Sequence, residues 1–152
     1  MSTVASQRAR QISVAAGGYD YADAFEIGVD DHTPRTAVEF ARLALEQSPW
    51  PVRTAIWVVH RYVIRFRLAP RSDPDHVLGW TIVRSEPEVV ELEAVSSLLR
   101  AVLVAERRDA GCAAVTTYLF YRRPAVARAM WTAVRPLHQW VARRLLEQAA
   151  TA

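Results

Sequence analysis

The chain has 152 residues, of which 51% are hydrophobic and 23% are charged. This length suits one domain, and this composition excludes a disordered polar tail and a fibrous repeat. No apolar run approaches the roughly 18 residues of a membrane span, and no apolar block follows the first arginines, so we expect neither a transmembrane helix nor a signal peptide. Cys112 is the lone cysteine and has no intrachain disulfide partner. We predict a cytoplasmic globular protein.

The formal net charge is +3, and all 19 basic residues are arginines. They are dispersed along the chain among the glutamates of the predicted strands, so we expect no single basic face. No glycine-rich phosphate-binding motif occurs in the sequence. These features predict no nucleic-acid partner and no nucleotide cofactor.

The N-terminal part of the chain divides into a lead-in and a strand. Residues 1–18 mix small and polar types without a sustained period, which predicts a flexible segment. A single domain is predicted over residues 19–150. Within it, Tyr21 to Val29 alternate with the two-residue period of a strand, with Asp23 among the residues of the apolar face.

Two helices are predicted to follow this strand. Thr33 and Pro34 are typical of a helix start, and this helix should run to about Gln47. The stretch from Val52 to Leu68 fits both helical spacing and strand alternation, and the helical spacing is favoured.

The second half of the chain predicts an antiparallel meander and a long helix. Short turns separate four strand-like segments, and such turns pair neighbouring strands antiparallel. The segments are Leu78 to Ser85, Glu88 to Val95, Leu98 to Arg107 and Cys112 to Arg122. From Pro124 onward, apolar residues recur at helical spacing, and Pro136 inside this helix predicts a kink near Thr132 to Arg135.

This order of elements, with three short motifs, resembles the helix-grip fold of the START, polyketide-cyclase and birch-pollen-allergen superfamily. More narrowly, it resembles an uncharacterised bacterial family of that superfamily. The motifs are Ser48-Pro49-Trp50, Val115-Thr116-Thr117 and Val134-Arg135-Pro136-Leu137-His138. The resemblance covers roughly residues 21 to 146. A full member has seven strands, whereas this sequence predicts about five.

The resemblance implies an α+β fold, in which an antiparallel sheet wraps around the long kinked C-terminal helix. An apolar cavity between them would hold a lipid, a polyketide or another hydrophobic small molecule. The fold by itself does not imply catalysis. We expect the following residues to line the cavity: Trp80, Leu103, Tyr118, Phe120, Met130, Trp131, Val134, Arg135 and His138.

Three of these side chains, His138, Arg135 and Tyr118, are candidate polar anchors for a ligand. The plainer interpretation of His138 is a structural histidine that pairs with a nearby acid or backbone group. A cyclase or dehydratase would need a second polar group across the cavity, with His138 or Tyr118 as acid or base. Because no acidic partner is evident on the inward faces, binding without catalysis is favoured.

The histidines and acids do not predict a metal site. No pair among His32, His60, His76 and His138 has the spacing that places two ligands on one helical face. Asp73 and Asp75 lie close to His76, but charged residues in a proline-containing loop are usually solvated. We predict neither a metal nor another cofactor.

Two kinds of macromolecular contact remain open. The stretch 49–71 contains five arginines and no acid beside Trp50, Trp57 and Tyr62, a composition typical of peripheral contact with an anionic membrane, although a solvated face is the commoner explanation. In the segment Leu98 to Arg107, both alternating faces are mostly apolar. Its second face needs a cover, either the helix over 52–68 or a second subunit, and we favour a homodimer.

Overall fold

A computed structural model describes residues 8–29, 35–70, 73–109 and 111–151. The elements in chain order are β1 (Arg10–Ile12), β2 (Tyr21–Gly28), α1 (Ala37–Glu46), α2 (Trp50–Val58), β3 (His76–Val77), β4 (Trp80–Glu86), β5 (Val89–Val95), β6 (Leu99–Asp109), β7 (Cys112–Tyr121) and α3 (Pro124–Thr151). A π-helical turn, Val59–Val63, directly follows α2. In these ranges, no helix combines the length and the hydropathy needed to cross a bilayer.

The strands form one antiparallel sheet in the order β1-β2-β7-β6-β5-β4-β3. The short turns between β4, β5, β6 and β7 enforce this meander, because a two- or three-residue connection cannot bridge parallel strands. The last strand of the meander, β7, pairs with β2 on its other side. The predicted α+β class, the large antiparallel sheet and the long C-terminal helix are confirmed.

The predicted count of about five strands is wrong, since the described part of the chain contains seven. The two additional strands, β1 and β3, have three and two residues. Segments this short cannot display a two-residue period, so alternation alone does not reveal them. β1 lies within the segment predicted to be a flexible lead-in, where it pairs with β2.

The start of the first helix also differs from the prediction. Thr33 and Pro34 lie outside the described residues, and the N-cap of α1 is Thr36, whose side chain accepts a hydrogen bond from the amide of Glu39. Three threonine or proline candidates within four residues make this boundary ambiguous in sequence. The stretch after α1 is helical, as favoured, from Trp50 to Val63.

All three helices lie on one face of the sheet, which we call the inner face. Helix α1 contacts β5 and β6, and α3 contacts β2, β7 and α1. Strand residues such as Phe25, Leu92, Leu99 and Leu119 are buried there. Burial of this apolar area is the main favourable contribution to the stability of the fold.

Helix α3 runs without a break from Pro124 to Thr151, with Pro136 inside it. Proline has no amide hydrogen, so the bond that would reach the carbonyl of Thr132 is absent. The predicted kink at this position stays a prediction.

The outer face of β6 is not covered by the second helix, because α2 lies on the inner side of the sheet. This part of the prediction is wrong. On the outer face Val104 is 9% exposed, and Val102 is half-buried. The homodimer stays a prediction for that face.

The turn between β3 and β4 depends on a glycine. Val77 pairs with Trp80, so Leu78 and Gly79 form a two-residue hairpin loop, and both have positive φ angles of 48° and 84°. Positive φ at both positions is the requirement of a type I′ turn. A Cβ atom on Gly79 would lie 2.8 Å from the Cβ atom of Leu68 and 2.9 Å from the carbonyl oxygen of Ala69.

We therefore expect Gly79→Ala to lower the free energy of unfolding by about 2 kcal/mol or more, because left-handed φ and the close contact both oppose the new methyl group. Urea unfolding followed by circular dichroism measures this loss. Gly111→Ala is the matched control, since a Cβ there would meet nothing within 4 Å. An equal effect of the two substitutions would contradict this account of the turn.

Candidate functional site

The helices do not fill the inner face of the sheet completely, and a partly open cavity of about 120 Å³ remains between them and the strands. Strands β6 and β7 form its floor with alternate residues, among them Leu103, Val115 and Leu119. Helices α1, α2 and α3 form its walls and roof. This arrangement follows from the strand period, because every second residue of β6 and β7 points to the same side.

The lining is almost entirely apolar. Among the described residues that form it, polar side-chain atoms come only from His60, Thr117 and His138 and from the indole groups of Trp80 and Trp131. An apolar cavity of this size usually stays dry and accepts an apolar ligand, as small engineered cavities accept benzene. The polar atoms therefore stand out as the groups that would orient whatever enters.

The first polar group of the lining, His138, contacts a buried carboxylate on β2. Asp23 is 3% exposed and lies within reach of His138, whose Nε2 atom is 3.1 Å from Oδ2 and 3.3 Å from Oδ1. The hydroxyl group of Tyr21 donates a hydrogen bond of 2.5 Å to Oδ2. Gln139 in turn donates to the Tyr21 hydroxyl at 3.2 Å. These contacts join β2 to α3 through one continuous hydrogen-bond network.

The chemistry of this network fixes its protons. Burial raises the pKa of Tyr21 above its ordinary value, and the bond to Asp23 adds to the shift, so the phenol stays neutral and donates. The contact with the Asp23 carboxylate places a proton on Nε2 of His138. In the neutral ring, Nδ1 is then the acceptor atom.

Trp131 packs against two members of this network, Tyr21 and His138. Its ring centroid is 5.2 Å from that of Tyr21 and 4.9 Å from that of His138. Trp131 itself is 5% exposed, and its indole Nε1 is buried without a hydrogen-bond partner among the described residues. Buried donors without partners are rare in proteins and call for an explanation.

A second polar group comes from the π-helical turn. Trp80 donates its indole hydrogen to Nδ1 of His60 at 3.3 Å, and the two rings lie 5.5 Å apart. An indole can only donate, so Nδ1 must be the acceptor and Nε2 carries the hydrogen. Burial lowers the pKa of His60 to about 3, with a smaller contribution from His138. His60 is therefore a neutral donor at the cavity wall.

The structure brings five of the nine predicted site residues to the cavity and separates four from it. Those that line it are Trp80, Leu103, Trp131, Val134 and His138. Tyr118 and Phe120 lie on the outer face, because they alternate with Thr117 and Leu119. Met130 packs against the core beside the cavity, and Arg135 is exposed on α3.

Sequence reasoning missed Asp23 and His60. Asp23 stands among Tyr21, Phe25 and Ile27 on the apolar face of its strand. An acid on such a face is a signal of a buried partner, because a lone buried carboxylate is costly. No sequence pattern points to a role for His60, because its segment fits both helical spacing and strand alternation and so does not show which way the side chain points.

The loop acids near β3 are unrelated to the cavity. His76 lies 3.3 Å from Asp73, and Asp73 accepts the amide hydrogen of Asp75 at 2.9 Å, an arrangement typical of a turn. Within the described ranges no group of three potential metal ligands occurs.

The low pKa of His60 predicts how stability varies with pH. Unfolded His60 titrates near its ordinary value of 6.5, so the unfolded chain binds a proton that the folded chain does not bind until about pH 3. The free energy of unfolding should thus fall as the pH drops below 6.5, by at most about 1.4 kcal/mol per pH unit from this residue.

Urea unfolding of the wild type and of His60→Gln at pH 7, 6 and 5 measures this effect. Other titrating groups act on both proteins, so the difference between the two curves reports His60. We expect the wild type to lose more stability toward acid than the variant. Parallel curves would contradict a His60 that stays neutral in the folded protein.

Comparison with known proteins gives a family. The chain belongs to the family described as "Protein of unknown function (DUF2867)", whose model matches residues 15–145. No curated protein matches the chain. The crystal structure of CalU16 from Micromonospora echinospora is similar over 94% of this chain and 89% of its own, at 13% identity and a TM-score of 0.32. A likeness at that score supports no conclusion about fold or ligand.

Proposed function

We propose that this member of the DUF2867 family binds a hydrophobic small molecule in the cavity between its sheet and α3, in a helix-grip arrangement. The observation that supports this proposal is the cavity itself, a space of about 120 Å³ with a nearly apolar lining on the inner face. Desolvation of an apolar ligand there contributes roughly 25 cal/mol per Å² of buried surface. The size suits a single ring or a short chain.

Filling the cavity should abolish this binding. Ala142 lines the cavity from α3, so Ala142→Phe places a phenyl group where the ligand would lie. We expect the affinity for butylbenzene to fall by at least about tenfold, since this ligand loses most of its buried surface. Calorimetric titration measures the affinity, and tryptophan emission follows the occupancy because Trp80 and Trp131 line the same space.

Ala133→Phe is the matched control, because Ala133 is exposed on the same helix. Its affinity should equal that of the wild type. Circular dichroism checks that both variants remain folded. If the wild type binds no butylbenzene, or if Ala142→Phe binds it as well as the control does, the cavity is not a ligand site.

A second candidate function is contact with an anionic membrane through α2 and the π-helical turn. Trp50 is 72% exposed and Tyr62 is 68% exposed, and Val58 and Val63 are exposed beside them. Arg61 lies in the same turn and is exposed as well. Exposed aromatic rings beside arginines favour the headgroup region of a bilayer, where rings are partly buried and cations meet anionic lipid.

Sedimentation with vesicles tests this candidate. Wild-type protein should bind vesicles that contain phosphatidylserine, bind pure phosphatidylcholine vesicles less, and dissociate as salt is added. Trp50→Ala combined with Tyr62→Ala should lower the partition coefficient at least about tenfold. Trp140→Ala is the control, because Trp140 is a half-exposed tryptophan on α3. Equal losses in both variants would speak against a specific membrane face.

A further inference from the structure

The cavity lining contains two histidines, of which one is held as a hydrogen-bond donor and the other as an acceptor. His60 offers Nε2–H, since its Nδ1 already accepts from Trp80. A donor in an apolar space is suited to an oxygen acceptor on the ligand, because a buried donor left unpaired is costly.

The acceptor is His138. Its Nε2–H points to Asp23, at 3.1 Å, so Nδ1 holds the free lone pair of the neutral ring. The carboxylate also stabilises the imidazolium that forms when Nδ1 takes a proton. Within the described residues Nδ1 has no hydrogen-bond partner. His138 and His60 line the same cavity.

We infer that the cavity is an enolisation site for an apolar ketone, in which His60 binds the carbonyl oxygen and His138 removes a proton from the neighbouring carbon. The inference rests on the proposed function, because it needs a small molecule in this cavity. A neutral histidine is suited to the role given to His60. It donates a hydrogen bond to the oxygen without first having to lose or gain a proton.

The step balances without a co-reactant. The carbon–hydrogen bond breaks, the proton bonds to Nδ1 of His138, and the electron pair forms a carbon–carbon double bond. The carbonyl π pair moves onto oxygen, and the resulting enolate oxygen accepts a hydrogen bond from Nε2–H of His60. When His138 returns a proton to carbon, the ketone is restored.

Asp23 and Tyr21 are positioning residues in this scheme, since neither lines the cavity. Asp23 holds the ring of His138 in one tautomer, and the 2.5 Å bond from Tyr21 fixes the carboxylate. Asp23→Asn should therefore change the ¹⁵N shifts of the His138 ring toward a mixture of tautomers. A purely structural role of Asp23 would leave those shifts in place in the folded variant.

The direct test uses 4-phenylbutan-2-one, with butylbenzene as a hydrocarbon of similar shape. In D₂O, reversible enolisation replaces the hydrogens beside the carbonyl with deuterium, which mass spectrometry counts. We expect wild-type protein to exchange them faster than buffer alone. His138→Gln keeps a donor for Asp23 but has no base, and should lower the protein-dependent rate at least about 100-fold.

His60 provides the second arm of the test. His60→Phe should slow exchange about 100-fold and weaken binding of the ketone about fivefold more than it weakens binding of butylbenzene. His60→Gln keeps an N–H group and should retain most of the preference for the ketone.

The outcomes separate the inference from the proposed function. If wild-type protein binds both compounds without exchange above buffer, or if His138→Gln exchanges as fast as wild type, the inference is overturned and the cavity remains a binding site. If neither compound binds, the proposed function falls as well. Because the wild-type comparison needs no variant, a variant that fails to fold does not block the test.

Discussion

A single buried carboxylate sets the geometry of this protein. Asp23 sits on β2 under α3, where an unpaired charge would cost several kcal/mol, so its oxygens must be met by donors. Tyr21 supplies one from the same strand, and His138 supplies the other from the helix. Because the two donors belong to different elements, the carboxylate fixes the position of α3 on the sheet. Apolar packing alone would tolerate a helix shifted along its axis.

The attachment of α3 to β2 through Asp23 also explains why a cavity remains above β6 and β7. Near Asp23, α3 is held to β2 by hydrogen bonds, and the far wall is formed by α1, α2 and the π-helical turn. Small residues on the floor, Ala101 and Ala105, do not reach across the gap. Apolar surface without partners costs dispersion energy, so the fold loses stability by keeping the cavity. A site that binds a ligand recovers this cost when it is occupied.

Sequence patterns were sufficient for most elements but not for the faces of the sheet. The long strands and α3 contain many residues at regular spacing, so the sequence predicts the type and the approximate ends of each of these elements. Strand β7 has apolar or small residues on both faces, and its period does not say which set is inward. The sequence therefore predicts Tyr118 and Phe120 in the cavity, whereas the residues of β7 that lie there include Thr117 and Leu119. The alternation of β2 predicts that Asp23 lies on the apolar face, but it does not reveal the partner, His138. No spacing rule links a strand to a helix that is more than a hundred residues away in the sequence.

The segment after α1 contributes both to the cavity wall and to the exposed aromatic surface. In the π-helical turn, the amide of Ile64 bonds to the carbonyl of Val59, five residues back. The extra residue pushes Tyr62 and its neighbours outward, while Ile64 and Phe66 return to the core. His60 then lies at the cavity wall, one turn away from exposed aromatic surface. Such turns often occur at functional sites, because they aim one side chain away from regular helical spacing. A hydrophobic ligand that entered from a membrane surface would meet this segment first and the donor of His60 next.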